Sequence, residues 1–149
     1  MDTTAPRPST RTVSGIGVCA GLVAGPVVHM PLPIAEPSPG LRLSPREDHH
    51  ARAAAIQEAS DQVTADLDAD AARATGEARE ILEATAAIAA DPTLVADAQR
   101  RVLDDYLVPE RAVWEAASDV AEQFEALGGY FAERVSDVHD IRDRLVAHL

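Results

Sequence analysis

The sequence predicts a mainly α protein, an antiparallel four-helix bundle with one broken member, preceded by a short strand–turn–strand segment. Three observations carry this. After Ser44 the apolar residues return at alternating spacings of three and four, the period of a single helix face. Helix-breaking and helix-starting residues interrupt that pattern near Gly76, Asp91, Val108–Pro109 and Gly128, leaving connections short enough to join antiparallel neighbours. Hydrophobic residues make up 46% of the chain but aromatics only 3%, with alanine supplying much of the difference. Such a composition favours helices packed closely through small side chains over a sandwich filled with rings.

In chain order, residues 1–13 are rich in Thr, Ser, Pro and Arg and read as a disordered tail. Residues 14–30 change character. Two short β-branched runs, Ile16–Cys19 and Val27–His29, flank a Gly-containing turn and read as strand–turn–strand. Residues 31–45 form a proline-rich linker expected to run extended. Residues 46–149 are the helical domain. Pro45 stands where a first helical residue belongs, with Glu47 and Asp48 at the positive end of the helix dipole. Ala53, Ile56, Ser60, Val63, Leu67, Ala71 and Ala74 make one stripe on a long first helix. Past Gly76 a second helix runs from Glu77 to about Ala90. Asp91–Pro92 starts the next, with Asp as N-cap and Pro at its first position. That helix is expected to bury Leu94, Val95, Ala98 and Val102 and to end near Tyr106. Pro109 opens another, carrying Val113, Ala117, Val120, Phe124 and Leu127, and Gly128–Gly129 end it. The last helix lines up Phe131, Val135, Val138, Ile141, Leu145 and Leu149.

At 149 residues the chain is long enough for one sizeable core. Its net charge of −12 argues against a nucleic-acid partner, because nothing here displaces counterions from phosphates; it suits attraction to a basic protein face. The single cysteine, Cys19, precludes an internal disulfide and a cysteine metal site, and in a strand reads as a small buried residue. The apolar run from Gly15 to Met30 is broken by Gly21, Gly25 and Pro26, too punctuated to span a bilayer, so a soluble, cytoplasmic protein without a membrane partner is expected.

The search for chemistry returns little. His29, His49, His50, His139 and His148 accompany no nucleophile or carboxylate in a catalytic arrangement. His49 and His50 are adjacent, so on a helix they point about 100° apart and chelate poorly. Gly15 and Gly17 lack the third glycine and following helix of a phosphate-binding loop. Glu77, Glu80 and Glu83 lie three residues apart, and by spacing alone are a solvated helix face. Glu133, Arg134, Asp137 and Asp140 read as intrahelical ion pairs.

Three blocks change that balance. SGIGVCAGLVAGPVV resembles the opening of enzyme I of the phosphoenolpyruvate-dependent sugar phosphotransferase system, which reads roughly SGIGVSPGIAIGPV. EAREILEATAAIAADPTLVADA is similar to the family's EAxIFEAHxxxLxDPELxxEV, and YFAERVSDVHDIRDRLVAHL to its YLxERAADVRDIGxRLLxxL. Together they cover nearly all of the chain after Ser14, in the family's order. The resemblance implies a helical subdomain inserted into an α/β phosphohistidine domain, the strand segment 14–30 being part of the latter. It also implies docking of HPr, a small phosphocarrier protein with a basic face, on the broken helix pair. Carried over by position, the HPr surface comprises Glu77 and Glu83 as acidic contacts and Ile88 and Leu94 as apolar anchors. Asp91 and Thr93 follow at the helix junction, with Arg134 and Asp137 on the last helix. The family's full-length members use magnesium and dimerise through a C-terminal domain.

The sequence departs from the family's pattern in places. The family's EAH is Glu83-Ala84-Thr85, the bulky residues after it are Ala86, Ala87 and Ala89, the acidic position after Pro92 is Thr93, and His139 replaces an Arg. The sequence stops short of the family's GGxTSHxAI segment, which carries the phosphoryl-accepting histidine, so no catalytic residue, cofactor or metal site is expected within it. Two alternatives stand beside the docking module: a non-catalytic structural or dimerising bundle, and the enzyme I-like part of a multidomain phosphocarrier such as that of dihydroxyacetone kinases.

Overall fold

The computed structural model describes residues 33–149, together with Ser14, Ile16, Gly21, Gly25 and Pro26. The chain divides after Pro31. The tail expected over 1–13 and most of the strand–turn–strand expected over 14–30 lie outside the described residues. The five isolated positions that are described include no strand, so the strand expectation finds no support.

Six helical segments follow: α1 (His49–Arg73), α2 (Glu77–Ala89), α3 (Pro92–Asp104), α4 (Pro109–Leu127), α5 (Tyr130–Glu133) and α6 (Val135–His148). They form four members of a bundle. α2 and α3 together run back along α1. Ser60 Oγ donates to Ala89 O, Gln99 Nε2 to Ala53 O, and the Leu43 amide to Tyr106 O. α4 climbs beside α3, and α6 descends beside α4, where the Arg142 guanidinium lies 3.6 Å from the Trp114 ring centroid. Among the described residues there is no strand, only an isolated antiparallel bridge between Arg42 and Leu107.

The start of α1 differs from expectation. Pro45 is not a helical residue, because Ser44–Glu47 closes into its own turn: the Glu47 amide bonds Ser44 O, and the Ser44 amide bonds the Glu47 carboxylate. The helix waits for Asp48, whose side chain accepts from the Ala51 amide at 3.0 Å and satisfies one of the orphan donors of the first turn. Within the linker expected at 31–45, Leu43 is buried in the core.

The break between α2 and α3 follows the sequence. Asp91 has extended backbone, as a residue before proline prefers, and its carboxylate accepts from the Thr93 amide at 2.7 Å. Pro92 gives up an amide that had no helical partner. At the far end, Gly128 (φ 69°) and Gly129 (φ 54°) turn the chain through two consecutive left-handed residues, a conformation that side chains oppose. The expected single last helix is two pieces, interrupted at Arg134.

The core is a band of small residues. Ile56, Val63 and Leu67 of α1 meet Ala98 and Val102 of α3, Ala112, Val113, Ala116 and Ala117 of α4, and Val138, Ile141 and Leu145 of α6. The expected stripes of α1 and α3 are the buried ones, except that Ala74 is only partly so. On α4 the inward face is carried by alanines, while Val120 and Phe124 are half-buried and Leu127 is exposed. Phe131 is not in the last helix's buried stripe.

Candidate functional site

The surface where α2, α4 and α5 meet gathers several exposed apolar side chains. α2 carries Ile81, Ala84 and Ile88 on one line, since these lie within about 60° of each other around a helix. Ile81 is 43% exposed, and Ile88 packs partly against the core. Opposite them stand Phe124 at the end of α4 and the Tyr130–Phe131 pair of α5. The ring centroids of Phe124 and Phe131 are 5.4 Å apart, and those of Tyr130 and Phe131 5.9 Å, both pairs edge-on. Ala84, Ile88, Phe124, Tyr130, Phe131 and Arg134 enclose a shallow cleft of about 160 Å³.

Arg134 forms the polar edge of this cleft. Its Nη2 donates to the Tyr130 hydroxyl at 3.0 Å, its Nη1 to Asp137 Oδ2 at 2.9 Å, and its guanidinium carbon lies 5.0 Å from the Tyr130 ring centroid. The hydrogen bonds from Arg134 to Asp137 and then to Tyr130 raise the guanidinium pKa above its ordinary value. The α5–α6 break therefore has a purpose in the packing: at Arg134 the chain can hold an aromatic ring on one side and a helix-start carboxylate on the other.

The expected contact residues are spread over the surface and the core. Ile88 and Arg134 line the cleft, and Asp137 accepts from Arg134 at its edge. Glu77 lies in the first turn of α2, exposed, beside the Ile81–Ile88 line. Glu83 sits about 120° around the helix from it, where Arg79 Nε donates to it at 2.7 Å. Asp91 is spent on the α3 cap. Thr93 is exposed on the first turn of α3, bordering a second cleft of about 350 Å³ between α3 and α4.

Leu94 requires correction. It is 4% exposed, turned inward with Ala98 and Val102 at helical spacing. A side chain already buried by its own domain cannot be an anchor that a partner buries. The sequence reading overlooked Ile81, Phe124, Tyr130 and Phe131 as surface elements. Phe131 continued the last helix's spacing into Val135 and Val138, and only the Gly128–Gly129 pair just before it signalled a separate turn. Thr85 is buried and donates to Ile81 O at 2.8 Å.

Among the described residues, no three His, Cys, Asp or Glu side chains converge to hold a metal ion. No helix among them is long and apolar enough to cross a membrane.

A family model described as "PEP-utilising enzyme, N-terminal" matches residues 14–134. The chain belongs to this family. It is 39% identical over 138 residues to a phosphoenolpyruvate-protein phosphotransferase of Streptomyces coelicolor, covering 93% of this chain and 24% of that protein. It is 33% identical over 142 residues to a phosphoenolpyruvate-protein phosphotransferase of Haloferax volcanii, covering 91% and 24%. The chain thus spans about a quarter of the length of the curated relatives it matches. Among solved structures it is similar to the NMR solution structure of enzyme I (nEIt), with a TM-score of 0.61 and 22% identity, covering 67% of this chain and 42% of that one. That likeness concerns the fold. The mainly helical architecture is shared.

Proposed function

We propose that this chain is the helical docking module of an enzyme I-type phosphoenolpyruvate–protein phosphotransferase, on which the phosphocarrier HPr lands during phosphoryl relay in the cytoplasm. The whole protein takes the phosphoryl group from phosphoenolpyruvate with magnesium, passes it through a histidine beyond these residues, and serves sugar uptake. The observation that carries the docking reading is the Ile88–Phe131 cleft, an apolar centre with Glu77 and Glu80 near one end and Arg134 at its edge. Acidic rim charges on a chain of net charge −12 raise the encounter rate with a basic face. A small apolar centre of about 160 Å³ favours fast release, as a relay carrier needs.

A chemical-shift titration of the chain with its cognate HPr tests this. Shifts are expected at Ile81, Ile88, Phe131 and Arg134. Shifts clustered on α1, or none at millimolar HPr, overturn the docking reading. The second reading, a dimerising bundle, draws on the exposure of Ile81, Leu127, Tyr130 and Phe131. Sedimentation equilibrium separates the two, because a dimer closed over this face sediments at twice the monomer mass and an Ile81→Lys variant returns it to monomer.

A further inference from the structure

The segment before α1 is fastened to the bundle by an uninterrupted run of opposite charges. Arg111, in the first turn of α4, is 9% exposed. Its Nη1 donates to Glu36 Oε1 at 2.6 Å and to Pro37 O at 2.9 Å, and its Nε donates to Glu115 Oε1 at 2.7 Å. The other Glu115 oxygen accepts from Arg101 Nη1 at 3.1 Å. Arg101 in turn donates to Asp97 Oδ2 at 2.9 Å and to Asp119. Glu36 on the strap, Arg111 and Glu115 on α4, and Arg101 on α3 thus alternate in sign, ending on Asp97 and Asp119. Burial pushes the Glu115 carboxyl up, but the hydrogen bonds and charges of Arg111 and Arg101 hold it below the usual carboxylate range.

The two ends of the strap are held differently. At its C-terminal end Leu43 is buried, its amide bonds Tyr106 O at 2.7 Å, and Arg42 bridges to Leu107. Next comes a turn in which the Leu41 amide bonds Ser38 O and Arg42 Nη1 bonds Pro39 O. Beyond the turn, the ion pair from the half-exposed Glu36 to Arg111 is joined only by the Pro37 carbonyl among the polar contacts of the described residues. If that arm lifts, Arg111 loses its Glu36 and Pro37 acceptors and keeps Glu115. A guanidinium that has lost two acceptors leans on the charged one that remains, so Arg111 then draws on the carboxylate that it shares with Arg101.

We propose that residues 33–43 act as a latch on the helical bundle. Leu43 is its pivot, Glu36 on Arg111 its catch, and Glu115 the shared carboxylate through which closure sets the α3–α4 ion-pair cluster. The latch rests on these contacts and not on the docking reading, so either can fail without the other.

The test uses the 149-residue chain and the half-exposed Glu36, whose replacement leaves the core intact. Glu36→Ala is expected to lower the backbone amide order parameters of residues 34–36 from the rigid range of roughly 0.85 to below about 0.6. It should also move the Nε–Hε resonances of both Arg111 and Arg101, although Glu36 touches only the former. In a Glu115→Gln background, Glu36→Ala should still move Arg111 but no longer Arg101. A double-mutant cycle of Glu36→Ala with Asp119→Asn should depart from additivity by more than the roughly twofold in unfolding constant that independent sites show. Unchanged order parameters at 34–36 overturn the catch. An unmoved Arg101 resonance together with an additive cycle overturns the coupling.

Discussion

Ser60 is a polar residue in the middle of the buried face of α1, and its removal is the most direct test of how the α2–α3 break is held. Ser60 is 1% exposed, and its hydroxyl donates to Ala89 O at 2.7 Å. Ala89 is the last residue of α2, so its carbonyl is one of the orphan acceptors of a helix end. In an unbroken helix the Thr93 amide would serve it, but that amide is held by Asp91. Ser60→Ala removes the one donor while changing side-chain volume little, so the cost is that of a buried acceptor without a partner, about 1–3 kcal/mol. At about 2 kcal/mol the unfolding constant rises roughly 30-fold, and the midpoint of thermal unfolding falls by about 4–8 °C for a chain of this size. Urea unfolding followed by circular dichroism measures this, with an unchanged denaturant slope showing that the effect is on stability alone. Because α2 carries Ile81 and Ile88, the variant should also shift the amide resonances of the docking cleft. A loss under about 0.5 kcal/mol, the level of an ordinary surface substitution, would mean that Asp91 and Pro92 hold the break without Ser60.

Leu94→Ala should cost about 2–5 kcal/mol as a core cavity; a smaller loss in a urea melt would contradict its inward orientation. Phe131→Ala should leave stability within about 1 kcal/mol but speed release of HPr about tenfold or more, read by surface plasmon resonance; an unchanged off-rate removes Phe131 from the interface. The Asp97 carboxyl is pushed up by burial, yet hydrogen bonds from Arg100 and Arg101 hold it below the usual carboxylate range, and Arg111 and Arg101 do the same for Glu115. A depressed folded-state pKa gives stability that is full above the unfolded value, roughly 4 for these groups, and is lost as pH falls through the folded value. Urea melts from pH 6 down to roughly pH 3 should therefore show falling stability below about pH 4, less steep in Asp97→Asn; identical slopes refute the assignment. Incubated with phosphoenolpyruvate and magnesium, the chain should carry no phosphohistidine, and intact-mass detection of one added phosphoryl group would show otherwise.

What the sequence determined by itself is the local part of the fold. Spacings of three and four placed the buried face of α3 down to individual residues and that of α1 but for Ala59 and Ala74, because a helix that buries one side repeats its apolar positions wherever it goes. Asp91–Pro92 and Gly128–Gly129 fixed breaks through backbone chemistry that acts within a few residues. The resemblance of its blocks to enzyme I reached the family. Contacts between distant segments were decided only by tertiary structure. Ser60 stood in the stripe like any small residue, and nothing near it named Ala89 as its acceptor. Leu94 and Ile88 looked alike as anchors until packing turned one inward, and Phe131 kept a helical spacing that the turn at Arg134 cancelled. Glu36 and Arg111, 75 residues apart, meet because the proline-rich strap is folded back onto the start of α4. Ion pairs and clefts of this kind depend on which faces the bundle brings together, and that is set by the summed packing of all four members, not by any one segment.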